Sequence, residues 1–513
     1  MRSGRSKRPK GGPQVKRRIL KTIFSVTGVI IVAKLLGFVK QTVTASLFGA
    51  TLETDLINLS QGLLGNLDYV LVHVLLTSFT ALYIRLIDDD IDGLRRTVSD
   101  TLKVFTMIAS VVAGLVFVAA PVIARILAPS YGAEDLVRLT GYIRLYVPIL
   151  PLFTFSAVFT ALLNSHKRFL PAELVSVNQS ILSLLILSLF SHVLGTRSLI
   201  LAFFTYTVWN LLFLGFLSRR HWRLELGGNP FANPNIKELL RMCAPLLLSY
   251  SMVFINQQVD KSLSSGLGEG TVTALGYASV LSNLVSTFII SFCSILFTYT
   301  ATAISKGEHQ KAAALAVRAT GLLTIVFLPI SLLTVLCTRD VVSIAFGRGA
   351  FNVNAVEASA SALRGYGLLF VPLALREVFT RFQYGYQDTR RPTVASCISI
   401  ACNIILSVFL SRYCGIFGIA CATSVSVFVC GLLNLFCSRK LNRFLNFTFL
   451  LRGVPWILLA SGACLTAAIL VNRRLADAAS YFRFPAAAFC GLAVYFLLSA
   501  PVLLKLLQER QEC

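Results

Sequence analysis

Ionisable side chains stand inside stretches that are otherwise apolar enough to cross a bilayer: Lys34 and Lys40, Asp55, Asp68 and His73, Arg144, and the group Arg364, Arg376, Glu377 and Arg381. A charge at such depth costs several kcal/mol unless it is paired or faces water, so residues kept there mark a route for polar cargo or ions. Arginine suits phosphate because its planar fork presents paired donors and stays charged when desolvated. Several cations in an apolar protein therefore fit a phosphorylated or diphosphate-linked cargo, whereas a pump for lipophilic cations would favour acidic and aromatic linings. Covalent catalysis has no support, since no nucleophile–base pair, phosphate loop or metal cluster is present. All twelve cysteines lie from Cys243 onward without a CxxC pair, and there are five histidines, so metal-ligand spacing is absent. These thiols read as small polarizable packing residues.

Spacing sharpens the candidates. Lys34 and Lys40 are six residues apart, about 9 Å of helix rise, and do not share a face. Either one faces a cavity while the other snorkels to an interface, or both snorkel. Asp68 and His73 could share a face of the second span. Arg144 precedes Pro148 and Pro151 in the fourth. Glu377 and Arg381 are i,i+4 and are expected to pair, leaving Arg376 for cargo; the alternative is that this group is purely a structural ion pair.

The elements that position these residues are membrane spans. Of 513 residues, 56% are hydrophobic and 14% charged, with a mean hydropathy of +0.74. A span needs about 20 apolar residues, so some fourteen apolar runs and short loops use up the chain. The expectation is an all-α polytopic membrane protein of about 14 transmembrane helices without a large soluble domain. The first apolar run is too long for a cleaved signal peptide and has no small-residue cleavage pattern behind it. Starting from a basic N-terminal tail, every second loop is basic: Arg95 with Arg96, Lys167 with Arg168, Arg219 with Arg220, Lys306 with Lys311, Arg390 with Arg391, and Arg439 with Lys440. Only Arg473 and Arg474 break the alternation, which places both termini in the cytoplasm. The formal net charge of +24 then reads as topology and as attraction to anionic membrane lipids. Nucleic acid is not an expected partner, because the tail lacks a folded module or interleaved aromatics.

A repeat sets the architecture. Gly49 answers to Gly268 and Pro171 to Pro392, each about 220 residues on, so six spans recur in the same direction about an axis along the membrane normal. The expected organisation is a basic cytoplasmic tail (1–18), an N lobe of spans 1–6 (19–220), a C lobe of spans 7–12 (221–440), and two extra C-terminal spans with a short tail (441–513).

Four segments, KLLGFVKQTVTASLFGATLETD from Lys34, VDKSLSSGLGEGTVTALGYA from Val259, AFGRGAF at Ala345–Phe351 and LREVFTRFQYGYQDTRRP at Leu375–Pro392, resemble the MurJ (MviN) family. That family belongs to the superfamily of multidrug, oligosaccharidyl-lipid and polysaccharide exporters. The resemblance implies two six-helix lobes plus two helices whose groove holds a polyprenyl tail. It also implies a monomer in the bacterial plasma (inner) membrane that flips lipid II, the undecaprenyl-diphosphate-linked peptidoglycan precursor, in cell-wall biosynthesis and cell-shape maintenance. Lys34 and Lys40 stand where the family shows cavity arginines, and Asp55 matches its acidic residue past the first periplasmic turn. Together with Asp68, Arg144 and Arg376 these form the expected cargo-binding set. Asp260, Asn403 and Thr423 match positions that bind sodium in some members, with Ser407 where those members offer a second carboxylate. Sodium (Na+) is thus the candidate coupling ion, and no other cofactor is expected. Asp68 and Val280 replace arginines of the family pattern, which leaves a flippase for another polyprenyl-linked glycan as the alternative. A third reading is a non-transporting scaffold whose loops dock cell-wall synthesis enzymes.

Overall fold

The computed structural model describes residues 13–87, 91–222, 225, 227–441, 443–445, 448–475 and 479–508; most of the basic tail and the last five residues lie outside them. Regular structure among the described residues is helical throughout. Among the described residues twelve helices are long and apolar enough to cross a membrane, and the bent pair Val353–Gly367 and Phe370–Gly385 makes a thirteenth span. The stretch Arg390–Leu441 is two helices joined at Gly415, which brings the number to the expected fourteen. In chain order the first six spans are Pro13–Phe48, Leu52–Leu86, Ile91–Leu127, Ala133–Ser165, Leu170–Leu194 and Arg197–Ser218. Spans 7 to 9 are Pro234–Ser265, Thr271–Ser305 and His309–Leu336, span 10 is the bent pair, and spans 11 and 12 flank Gly415. Thr448–Arg474 and Ser480–Gln508 are spans 13 and 14.

Backbone conformation repeats where the sequence punctuation does. Gly195, between spans 5 and 6, has φ 54° and ψ −136°, and Gly415, between spans 11 and 12, has φ 57° and ψ −139°. Only glycine enters that region without a Cβ penalty. Lys167 (φ 61°) and Gln387 (φ 60°) occupy the left-handed region before spans 5 and 11. Pro171 lies in the first turn of span 5 and Pro392 in the first turn of span 11, where a missing N–H costs nothing. Span 4 breaks at Val147–Ile149, and span 10 bends by 42° at the corresponding place. Even the loop contacts echo: His166 Nε2 meets the Tyr83 hydroxyl at 3.1 Å, and Tyr386, its counterpart in the second repeat, meets His309 Nδ1 at 3.0 Å. The His166 ring also stacks on His221 with centroids 3.8 Å apart. Burial and Arg168 hold both imidazoles below their ordinary pKa.

Two compact units emerge from the packing, and several helices contribute to both. The first comprises residues 1–43, 71–113 and 148–246, the second 44–70, 114–147 and 247–513. In the first unit the Phe159 ring lies against Trp222 with centroids 4.9 Å apart and over Gly215, where a Cβ would approach the ring to 3.2 Å. Arg85 pairs with Glu238 at 2.6 Å. The core of the second unit is built from Ile289, Ala316, Phe327, Phe379 and Phe382 of spans 8, 9 and 10. A separate cluster, Leu333, Cys464, Ala468, Ala487 and Tyr495, seats spans 13 and 14 on span 9. Arg483 of span 14 adds a forked ion pair to the buried Asp340 on the helix Thr338–Phe346.

Equivalent residues of the two repeats touch inside the second unit. Thr54 and Thr273, each near the start of its span, join hydroxyls at 3.2 Å. The Ala350 amide donates to Ser46 O at 2.8 Å, and the Ser130 hydroxyl donates to Ser265 O at 3.1 Å, the same contact with the repeats exchanged. A two-fold relation between the repeats produces this pattern. Close approach depends on glycines: a Cβ on Gly349 (φ +60°) would collide with Ser46 O, and one on Gly270 (φ +79°) with Ala50 O. Gly349→Ala should therefore add a collision with Ser46 O to the backbone penalty of an alanine at positive φ, whereas Gly307→Ala (φ +77°), with nothing within 4 Å of its would-be Cβ, should cost only that backbone penalty, roughly 1–3 kcal/mol. Thermal unfolding of the two variants in one detergent checks the difference, and equal losses would contradict the packing argument.

Candidate functional site

Asp55 is fully buried in the second unit, and both of its oxygens are engaged. Oδ1 accepts the backbone N–H of Thr273 at 2.8 Å and Oδ2 the Tyr131 hydroxyl at 3.2 Å. Thr273 is the third residue of span 8, whose Gly270 N-cap has no side chain of its own to offer. Asp55 thus caps a helix of the other repeat, satisfying an N–H that has no intrahelical partner and placing negative charge at the positive end of the helix. The Asn58 amide reinforces the contact by donating to Thr273 Oγ1 at 2.9 Å. Beside it, Glu53 accepts from Arg138 and from the Tyr142 hydroxyl.

The four residues expected to hold a cation form one hydrogen-bonded chain. Ser407 Oγ lies 3.0 Å from Asp260 Oδ1 and 3.4 Å from Asn403 Oδ1. The Asn403 amide nitrogen donates to Thr423 Oγ1 at 3.2 Å and to Ser426 Oγ at 3.3 Å. Asn403 and Ser407 are buried and one turn apart, so they share a face of span 11. A single carboxylate with an amide oxygen and two hydroxyls is a hard-oxygen set of one formal charge, which fits a monovalent cation. Among the described residues no group of three or more His, Cys, Asp or Glu side chains is placed for another metal.

Arg376 is not left free by a Glu377–Arg381 pair. Glu377 holds both arginines, Arg376 Nη2 at 2.6 Å and Arg381 Nη2 at 3.3 Å. Helical spacing alone brings only positions 377 and 381 together; the second carboxylate oxygen reaches the neighbouring Arg376 as well. The trio keeps one net positive charge. Arg144 is exposed and lies over the Phe117 ring, 5.2 Å from its centroid, while donating to Phe117 O at 3.3 Å. Asp68 has no described ion-pair or hydrogen-bond partner for its buried Oδ1. In the first unit Lys34 is exposed and Lys40 half-buried, and Glu173 at the start of span 5 is near enough to Lys34 for their charges to interact. Sequence reasoning passed over Lys261, which lies directly against Gly62 of span 2. Its only signal was its place beside Asp260.

Comparison with known proteins places this geometry. The family model described as "Lipid II flippase MurJ" matches residues 44–484. A relative in Borreliella burgdorferi, "Probable lipid II flippase MurJ", is 26% identical over 415 residues, covering 78% of this chain and 79% of the relative. One of the same description in Rhizobium tropici is 24% identical over 431 residues, covering 80% and 78%. Among solved structures, "Lipid II flippase MurJ, inward closed conformation" shares the fold with a TM-score of 0.80 at 18% identity, over 94% of this chain and all of that one. An inward-facing multidrug resistance MATE family transporter of the MOP superfamily follows at 0.58 and 14% identity, over 79% of this chain and 98% of that one.

The cap carries a testable consequence. Asp55→Ala should strip span 8 of its anionic acceptor and destabilise the protein by about 1–2 kcal/mol, with Asp55→Asn intermediate because one oxygen can still accept. Thermal unfolding in detergent gives the ranking; an Asp55→Ala protein as stable as the parent would remove the capping role.

Proposed function

We infer, because the chain belongs to the lipid II flippase MurJ family, that it carries lipid II across the membrane, presenting its site to one side and then the other. The match across 44–484 carries this conclusion, since it spans both repeats. The fold supplies the mechanism's parts. Two repeats in contact through Thr54, Asp55 and Thr273 can separate at that end only by giving up a short list of polar contacts. A protein with such a latch opens towards one face while it is closed towards the other.

We propose that Lys34, Lys40 and Arg376 supply the positive charge that meets the diphosphate along its path. Arg376 carries it as part of the Glu377 trio, whose surplus charge is available although its guanidinium is anchored. Asp68 and Val280 alter the local charge without moving the cargo assignment. The setting is the bacterial plasma membrane with both termini in the cytoplasm, where lipid II is made, and the working unit is a monomer, with cell-wall synthesis enzymes as neighbours. Residues 19–220 and 221–440 act as the two lobes.

Sodium would be held by Asp260, Asn403, Ser407 and Thr423. When bound there it would replace hydrogen bonds within the chain by ion–oxygen contacts and so favour one arrangement of spans 7, 11 and 12.

Complementation of a bacterium depleted of its lipid II flippase, scored by the leaflet distribution of the precursor, tests the reading. The wild-type chain should restore outward lipid II, and Lys34→Ala should reduce the rate severalfold while the protein remains inserted. Failure of the wild-type chain to restore it would overturn the cargo assignment. In proteoliposomes, Asp260→Asn should remove any dependence of transport on a sodium gradient while leaving potential-driven transport; sodium dependence that survives this substitution would place the ion elsewhere.

A further inference from the structure

Lys261 is a cation in a membrane-spanning helix that neither the cargo set nor the ion site employs. Its side chain leaves span 7 near its end, crosses to span 2 and lays its ammonium on the backbone at Gly62, so closely that a Cβ at position 62 would collide with Nζ. Gly62 is ten residues beyond Leu52, the first residue of span 2, or about 15 Å of rise into that helix. The ammonium therefore sits at depth whichever level span 7 ends on. Among the described residues no carboxylate forms an ion pair with it. Every acidic group nearby is committed or displaced. Asp260 turns to Ser407, Glu53 to Arg138, and Asp55 to Thr273 and Tyr131, while Asp68 lies six residues beyond Gly62 on span 2.

A second group points the same way. Asn66 follows Gly62 by one turn and shares its face of the helix, and its buried amide nitrogen has no hydrogen-bond partner. Two donors thus stand about 6 Å apart in helix rise: the half-buried Lys261 ammonium against Gly62 and the unpartnered Asn66 amide nitrogen. Leaving a buried amide donor unsatisfied is costly, and an ammonium within a span is costly unless it is paired or faces water. Oxyanions separated by a short bridge, as in a diphosphate, would satisfy both.

We propose that Lys261, seated over Gly62 with Asn66 one turn away, binds the diphosphate of the polyprenyl-linked cargo. The assignment rests on the flippase reading for the lipid attached to that diphosphate, and on the geometry for the diphosphate itself. Gly62 is then a specificity element, since its missing side chain creates the seat for the ammonium.

The full-length protein in detergent, titrated with undecaprenyl diphosphate, undecaprenyl monophosphate and inorganic pyrophosphate under native mass spectrometry, tests this. Lys261→Met should weaken undecaprenyl diphosphate about tenfold or more, Lys261→Arg should retain most of the affinity, and the monophosphate should be affected less. Gly62→Ala should reproduce the loss by displacing the ammonium, and the double variant should be no weaker than either single one, the non-additivity expected of residues acting as one unit. A parallel loss for inorganic pyrophosphate would support a site that reads the headgroup alone. Unchanged diphosphate affinity in Lys261→Met would overturn the proposal, as would losses in Lys261→Arg and Lys261→Met that merely track their melting temperatures. Should the wild-type chain fail to flip lipid II, the cargo reading falls, yet a Lys261-dependent affinity for undecaprenyl diphosphate would still support the site.

Discussion

The start of span 8 finds its acceptor in the carboxylate of Asp55, a residue of the other repeat, and the arrangement of the second unit follows from that contact. A helix end inside a membrane protein cannot lean on water, so its N–H groups need acceptors from the protein. Supplying one from the partner repeat does two things. It joins the repeats through their equivalent helix starts, with Thr54 against Thr273, and it forces the neighbouring backbone segments so close that Gly49, Gly270 and Gly349 have no room for a side chain.

Charge is handled in two distinct ways. Glu377 gathers Arg376 and Arg381 and Asp340 gathers Arg483, so these cations are fixed in place, the trio with one positive charge left over and the pair neutral. Lys261 and Asp68 are treated otherwise, one with no described carboxylate partner and the other with an oxygen unsatisfied. Structural ion pairs repay desolvation inside the chain, and Lys261 and Asp68 lack that repayment among the described residues.

Much of the fold was legible because its cues are local. Apolar run length marks spans, Pro171 and Pro392 mark helix starts, and glycines at matched distances mark the repeat; each cue acts within a turn or two of itself. The division of Arg390–Leu441 into two spans belongs to the same class, whereas the bend in span 10 was not read from the sequence. The site was legible only where its members also lie close in sequence, as Asn403 and Ser407 do. Arg376 was misread because helical spacing describes where Cβ atoms project and not how far a two-oxygen carboxylate reaches. Tyr131 and Thr273 on Asp55, and Gly62 beneath Lys261, are contacts between segments far apart in sequence, and nothing in either segment alone announces the other.

Spans 13 and 14 share their core with span 9 and are pinned by Asp340 on the helix that follows it. They are moored to the second repeat. The two repeats are alike in design but unequal in load: whatever displaces the second repeat must carry a two-helix outrigger with it, and the first has no such burden.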